Sequence, residues 1–267
     1  MLGKLLKYEL KATGRTFMPI YAALLIAAAV TKLISALTAG GSEVPEFISA
    51  IVYIMILMGM FVMTFVVMIQ RFHKNLLSDE GYLMFTLPVE PWQHIVSKLL
   101  ISVLWNLGSL VAAFLSIVIL TFDEIANRAL MLDLFAVIAE FLTIFGPTGS
   151  LVVLEIFLAG IATTVFGILL IYASIALGHL SNRHRTMASL GAFLGLTAFA
   201  QILFACLTLI PNVRVLQHYM DTLQESLQTS IALFHYVMWF TIGFFTLLSA
   251  GYFLITNHIL KKRLNLE

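Results

Sequence analysis

The residue best placed for chemistry in this sequence is Glu155, an acidic side chain inside a long apolar run. A charged group at the centre of a bilayer costs about 2.5 kcal/mol or more, so such a residue is a candidate for contact with a substrate or a proton. Glu155 lies five residues beyond Ser150, near one end of the run, where it could also reach headgroups or water. Both a functional and a structural or interfacial role are open.

Other polar and small residues inside the apolar runs give weaker signals. Thr163 and Thr164, with Gly167, could line a path through the membrane or could bond to their own helix backbone. Gly191 and Gly195 form a small-xxx-small pair of the kind that lets helices pack closely. This pair could pack within the chain or between two chains.

The residues needed for catalysis, redox chemistry or metal binding form no recognisable set. Cys206 is the one cysteine, so neither an internal disulfide nor a cysteine-based metal cluster is possible. His179 and His184 flank a short segment that is predicted to be a solvated loop, and no His-Glu-x-x-His pattern occurs. A membrane enzyme would need a serine with a histidine, or paired acids, at depth, and Glu155 has no evident partner. We therefore expect no enzyme, no metal site and no cofactor bound by this chain.

The elements that carry these residues follow from the composition. Of 267 residues, 61% are apolar and 11% are charged, against roughly 25% charged in a soluble domain. A segment that spans lipid must satisfy its own backbone hydrogen bonds, and strand-like alternation is missing, so helices are expected. The net charge of +1 leaves no basic block to bind nucleic acid. We expect an all-α membrane protein with a single transmembrane domain over residues 1–267.

Six apolar runs are long enough to cross a bilayer, which takes about 20 helical residues. The predicted spans are residues 17–38, 47–70, 99–122, 151–180, 187–210 and 230–260. Residues 1–16 form an amphipathic stretch whose polar face carries four cations, Lys4, Lys7, Lys11 and Arg15. This stretch is predicted to be an interfacial helix anchored in the headgroup layer, with contact to a cytoplasmic partner as the alternative. It does not resemble a cleavable signal, so the first span is expected to remain in the protein.

The orientation follows from the basic residues, because positively charged loops remain in the cytoplasm. Six crossings place both termini on one side, and that side holds twelve of the fifteen lysines and arginines. The other side holds Lys32, Arg128 and Arg214. We therefore expect a multi-pass protein of the cell membrane with both termini in the cytoplasm.

Two segments on the predicted outer side have helical patterns. Residues 212–228 repeat apolar side chains every three or four positions, which predicts an amphipathic surface helix. Residues 129–145 are more apolar, with Asp133 and Glu140 on one face, and are predicted to form a surface helix that dips partly into the membrane. A seventh span over 129–145 is the alternative, but it would reverse the orientation of the later loops.

The most informative stretch is the predicted cytoplasmic segment 71–98, between the second and third spans. Ser78 is a natural N-cap, Asp79 and Glu80 suit the positive end of a helix dipole, and Pro88 stops a helix. The pattern predicts a helix of about two turns whose exposed apolar residues are Tyr82, Leu83, Phe85 and Leu87. Such a helix could pass a movement from a soluble motor to the membrane helices, or it could pack back on the inner ends of neighbouring spans.

The run Lys74-Asn-Leu-Leu-Ser-Asp-Glu-Gly-Tyr-Leu-Met-Phe-Thr-Leu-Pro-Val89, after an amphipathic helix and two spans, resembles the ABC-2 type permeases of Gram-positive bacteria. The resemblance in layout extends over the whole chain. It implies that residues 1–16 are a connecting helix along the membrane. It also implies a coupling helix that docks on an ATPase subunit, formed by Ser78, Asp79, Glu80, Gly81, Tyr82, Leu83, Phe85 and Leu87.

The same resemblance implies a second permease chain, identical or a sister, and ABC ATPase subunits that bind ATP and Mg²⁺. This sequence has no Gly-x-x-x-x-Gly-Lys-Ser/Thr loop to hold nucleotide phosphates, so ATP hydrolysis by that route must belong to another polypeptide. The expected function is therefore the membrane-spanning subunit of an ATP-driven exporter. A polytopic membrane enzyme and an ion-driven carrier are the alternatives.

Overall fold

The computed structural model describes residues 2–38, 44–77, 89–121, 146–181, 184–222 and 227–262, with isolated positions between 136 and 143. Within these residues the chain is helical and contains no strand. The long helices are α1 (Leu2–Thr38), α2 (Val44–Leu77), α3 (Pro91–Leu120), α4 (Gly149–Gly178), α5 (Arg185–Thr222) and α6 (Leu227–Lys262). All six contain stretches long and apolar enough to cross a membrane. The prediction of an all-α chain with six helices of membrane-spanning length is confirmed.

The first helix, α1, is continuous over 37 residues, so the predicted interfacial stretch 1–16 and the predicted span 17–38 belong to one helix. Pro19 lies inside it and removes one backbone hydrogen bond, a defect that helices in lipid tolerate. The buried residues of α1 run along both halves of the helix, and they are Thr13, Phe17, Leu24, Ala28 and Thr31. Both halves therefore pack as one element, and the placement of residues 1–16 in the headgroup layer stays a prediction.

The fifth helix, α5, likewise continues past Pro211 to Thr222. The separate outer helix predicted to begin at residue 212 is therefore mostly the end of α5. Apolar residues spaced three and four apart favour helix beyond the proline, which interrupts the hydrogen-bond ladder without ending the helix. Residues 78–88 and most of 129–145 lie outside the described residues, so the coupling helix and the dipping surface helix stay predictions.

The chain divides into two compact units. Unit 1 comprises residues 1–72 and 96–136, and so contains α1 with most of α2 and α3. Unit 2 comprises residues 73–95 and 137–267, and so contains α4, α5 and α6.

A seam of polar side chains joins the three helices of unit 1. Tyr21 Oη donates to the Trp105 carbonyl oxygen at 2.9 Å and lies 3.0 Å from Ser109 Oγ. Ser109 Oγ in turn lies 2.9 Å from Thr64 Oγ1, and Trp105 Nε1 donates to Thr13 Oγ1 at 2.7 Å. Lipid tails are as apolar as leucine, so hydrogen bonds and close packing are what hold membrane helices together.

Helix α3 presents a serine to this seam at every seventh residue, namely Ser102, Ser109 and Ser116, and all three are buried. Seven residues are about two helical turns, so the serines share one face. Ser116 Oγ lies 2.8 Å from Tyr53 Oη of α2. Gly108 permits the close approach of α1, because a Cβ there would lie 3.1 Å from Tyr21 Oη.

Contacts near both ends of α1 and α3 show the relative direction of these two helices. Glu9 and Lys98 form an ion pair at 3.2 Å near the beginnings of α1 and α3. Near their other ends, Lys32 Nζ donates to the Leu120 carbonyl oxygen at 3.0 Å. Helices α1 and α3 are therefore parallel, as the first and third of three successive membrane crossings must be.

In unit 2, α4 packs against both α5 and α6. The buried face of α4 includes Tyr172, Ala173 and Ala176. Gly178 permits a tight return into α5, because a Cβ at that position would overlap the backbone of Ser189. Tyr252 Oη of α6 donates to the Leu196 carbonyl oxygen of α5 at 3.1 Å, which joins the other two helices.

Candidate functional site

The candidate site in unit 2 is built on Glu155, in the second turn of α4. Its side chain is buried, and the residue is only 3% exposed. A carboxylate oxygen of Glu155 lies 2.7 Å from Nδ1 of His235, in the third turn of α6. The expectation that Glu155 has no partner is therefore wrong. His235 also lies inside a predicted span, residues 230–260, and that position was the available sequence signal.

The contact between Glu155 and His235 joins an acidic side chain to an imidazole ring. With a neutral imidazole, Nδ1–H donates to the carboxylate, and with an imidazolium the same contact is an ion pair. The His235 side chain is 22% exposed whereas that of Glu155 is 4% exposed, so the ring is the more accessible part of the pair. The arrangement can hold a proton between two side chains, or present a carboxylate to a small cation, within an apolar environment.

A cleft of about 480 Å³ is lined by residues of α4, α5 and α6. It is lined by Phe166, Thr197, Ala200, Gln201, Phe204, Phe244 and Phe245. The ring centroids are 4.9 Å apart for Phe166 and Phe245, and 5.1 Å apart for Phe204 and Phe244. The volume falls in the range of small-molecule sites, and aromatic walls with a few polar groups suit a lipophilic molecule.

In the described part of unit 2, no contact joins the Glu155 and His235 pair to the other candidate residues inside the predicted spans, which are Thr163, Thr164, Gly191 and Gly195. The hydroxyls of Thr163 and Thr164 donate to the carbonyl oxygens of Ala159 and Gly160, each at 2.8 Å, within their own helix. Positions Gly191 and Gly195 of α5 are exposed, and a Cβ at either would meet nothing within 4 Å. The structure thus leaves this glycine pair on an open face rather than packed within unit 2.

The basic residues predicted to anchor the chain at the membrane surface, Lys4, Lys7, Lys11 and Arg15, are all exposed on α1. The ring of His179, predicted to lie in a solvated loop, is 5.1 Å from that of His73, and His184 is exposed. Among the described residues, no group of three or more His, Cys, Asp or Glu side chains could hold a metal ion.

The residues predicted to dock on an ATPase, Ser78, Asp79, Glu80, Gly81, Tyr82, Leu83, Phe85 and Leu87, lie outside the described residues. The helices on either side of them end at Leu77 and begin at Pro91. Comparisons of the chain with protein-family models, characterised proteins and solved structures found no match. The likeness of residues 74–89 to a permease motif therefore rests on the sequence pattern alone.

Proposed function

We propose that this chain is the membrane-spanning permease subunit of an ABC-2 type exporter, which couples ATP hydrolysis on a separate subunit to movement of a substrate across the membrane. The observation that carries the proposal is the sequence of residues 74–89, which resembles the coupling helix of that family. Six helices of membrane-spanning length support it, as does the absence of a nucleotide-binding motif from the sequence.

The helices attached to the coupling segment support a mechanical role. The segment connects α2 to α3, and within unit 1 these two helices are tied together through Thr64 and Ser109, and again through Tyr53 and Ser116. Helix α1 is fastened to α3 by the ion pair between Glu9 and Lys98. A movement applied to the segment would thus act on an assembly of three joined helices.

The distribution of charge supports a cytoplasmic position for the segment. Twelve of fifteen basic residues fall on the side that carries both termini, and the segment is on that side. The parallel directions of α1 and α3 agree with this alternation of crossings. We place the chain in the cell membrane with both termini in the cytoplasm.

In the proposed mechanism, two permease chains face each other above two ATPase subunits. ATP and Mg²⁺ bind the ATPases, and Asp79, Glu80, Tyr82, Leu83 and Phe85 contact them. ATP binding changes the spacing of the two coupling helices and thereby favours one conformation of the membrane helices. A ligand shifts such an equilibrium only by its different affinity for the two states, so coupling depends on tight docking of this segment.

The double substitution Tyr82→Ala/Phe85→Ala tests the docking role. We expect it to abolish substrate-stimulated ATPase activity while membrane insertion and yield stay unchanged, because buried aromatic anchors dominate the energy of protein interfaces. The measurement is purification of the tagged chain from its native host, followed by quantification of the co-purified ATPase and its activity.

The matched control is Phe47→Ala/Tyr236→Ala. These residues are 68% and 55% exposed, and they lie near the beginnings of α2 and α6, on the proposed outer side. The control should keep wild-type ATPase stimulation. The proposal fails if the Tyr82→Ala/Phe85→Ala variant still binds the ATPase and stimulates it normally.

An ion-driven carrier is the second candidate, because the Glu155 and His235 pair is an ionisable site among apolar helices. A carrier would move substrate in vesicles that contain only this chain and a proton gradient. An ABC permease would require the ATPase and ATP in the same vesicles.

A further inference from the structure

Residues at and just beyond the end of α4, together with the last turns of α6, line a second, open cleft in unit 2, of about 570 Å³. Its apolar lining residues are Leu177, Leu180, Leu254, Ile255 and Ile259. Its polar lining residues are Asn257, His258 and Lys261. The cleft therefore combines an apolar wall with a cationic rim.

The apolar and polar parts follow one another along α6. Leu254, His258 and Lys261 are spaced four and three apart, so they share one face of the helix. Leu254 is 64% exposed, and His258 and Lys261 are exposed as well. Seven helical residues rise about 10 Å. With α6 as the last membrane crossing proposed above, the leucine lies deeper in the membrane and the lysine nearer its surface. This order matches a phospholipid, whose acyl chains lie below its phosphate.

The charge distinguishes this cleft from others of similar size. A cleft of about 450 Å³ in unit 1 is lined by Ala27, Val30, Thr31, Ile34, Val44, Pro45, Ile48, Ser49 and Val52, none of which is charged. The aromatic cleft described above also lacks a charged lining residue. Among these three clefts of the described chain, only the one at the ends of α4 and α6 carries a cation.

We propose that this cleft binds an anionic phospholipid, with the headgroup phosphate at Lys261 and His258 and an acyl chain along Leu180 and Leu254. Basic pockets between membrane helices are known to suit anionic headgroups, and each lysine near the surface strengthens binding about fivefold. In the orientation proposed above, the site faces the cytoplasmic leaflet. Lipid binding itself does not depend on the proposed ATPase coupling.

The test is titration of the purified full-length chain in detergent micelles with phosphatidylglycerol or phosphatidylcholine. Native mass spectrometry measures the affinity of the tightest site for each lipid. Phosphatidylglycerol should bind more tightly than phosphatidylcholine. Lys261→Gln should weaken phosphatidylglycerol binding about fivefold. It should weaken phosphatidylcholine binding less, because the choline cation offsets the charge of the phosphate. Ile255→Trp, which fills the cleft without altering charge, should weaken the binding of both lipids.

Two controls separate this cleft from general attraction to the protein surface. Val52→Trp fills the uncharged cleft of unit 1, and Lys74→Gln removes an exposed cation that does not line the proposed site. Both should leave the tightest phosphatidylglycerol site unchanged. Equal affinity for the two lipids, an unchanged Lys261→Gln variant, or an equal effect of Lys74→Gln would overturn the proposal. Failure of phosphatidylglycerol to bind would also overturn it.

Discussion

The contact between Glu155 and His235 should contribute strongly to the stability of unit 2. Substitution His235→Leu would leave a carboxylate buried among apolar helices without its imidazole partner. Breaking a buried pair in this way should lower the free energy of unfolding by about 3 kcal/mol. The double variant Glu155→Leu/His235→Leu should recover most of that loss, because neither polar group remains buried. Thermal unfolding of the purified chain in detergent, followed by tryptophan fluorescence, measures both changes.

The control for this prediction is Thr163→Ala, whose hydroxyl bonds only within its own helix turn and which should change stability by less than about 0.5 kcal/mol. A His235→Leu variant as stable as this control would show that the pair does not stabilise the fold. Transport by the stable double variant then separates the two roles of the pair. A purely structural pair leaves transport intact, whereas a proton or cation site does not.

At the scale of single residues, the sequence identified Glu155 as a candidate but did not identify His235 as its partner. Glu155 was recognisable because a charge inside an apolar run is costly wherever the helix packs. His235 lies 80 residues away in the chain, and its pairing depends on which faces of α4 and α6 meet. Periodicity in a nearly all-apolar helix does not show that face, since polar residues are too few to mark it.

At the scale of helices, the close approach of α1 to α3 depends on Gly108. Gly108→Ala would place a Cβ 3.1 Å from Tyr21 Oη, which is held by the Trp105 carbonyl oxygen and Ser109. We expect a loss of about 1 kcal/mol in unfolding free energy. The matched control is Gly59→Ala in α2, where a Cβ meets nothing within 4 Å and alanine should stabilise the helix by about 0.5–1 kcal/mol. Equal effects of the two substitutions in the same thermal assay would refute this account of the packing.

Sequence predicted the existence of the helices well and their ends less well. Apolar runs of about 20 residues specify a membrane helix almost regardless of context. Pro19 and Pro211 both lie inside continuous helices, because lipid strongly favours internally hydrogen-bonded backbone. The serines of α3 at seven-residue spacing were a visible signal of a packing face, and polar seams of this kind can be sought in other apolar helices.

At the scale of the molecule, each unit has an acidic and a basic side chain in contact between its first and third helices. In unit 1, Glu9 and Lys98 join the beginnings of the first and third helices, and in unit 2 Glu155 and His235 do the same. The division into two units was not predictable, because it arises from contacts between distant helices rather than from a linker in the sequence. The count of crossings and the charge bias were predictable, and they lead directly to the proposed orientation.

The central claim is that the segment around Tyr82 is reached from the cytoplasm, and thiol labelling tests it most directly. On a Cys206→Ser background, Tyr82→Cys is exposed to a membrane-impermeant maleimide in intact cells and in inside-out vesicles, with Ser42→Cys as the control for the opposite face. We predict that Tyr82→Cys is labelled only in inside-out vesicles from which bound partners have been removed, and Ser42→Cys only in intact cells. Labelling of Tyr82→Cys in intact cells, or its failure to react from either side after removal of bound partners, would contradict the account.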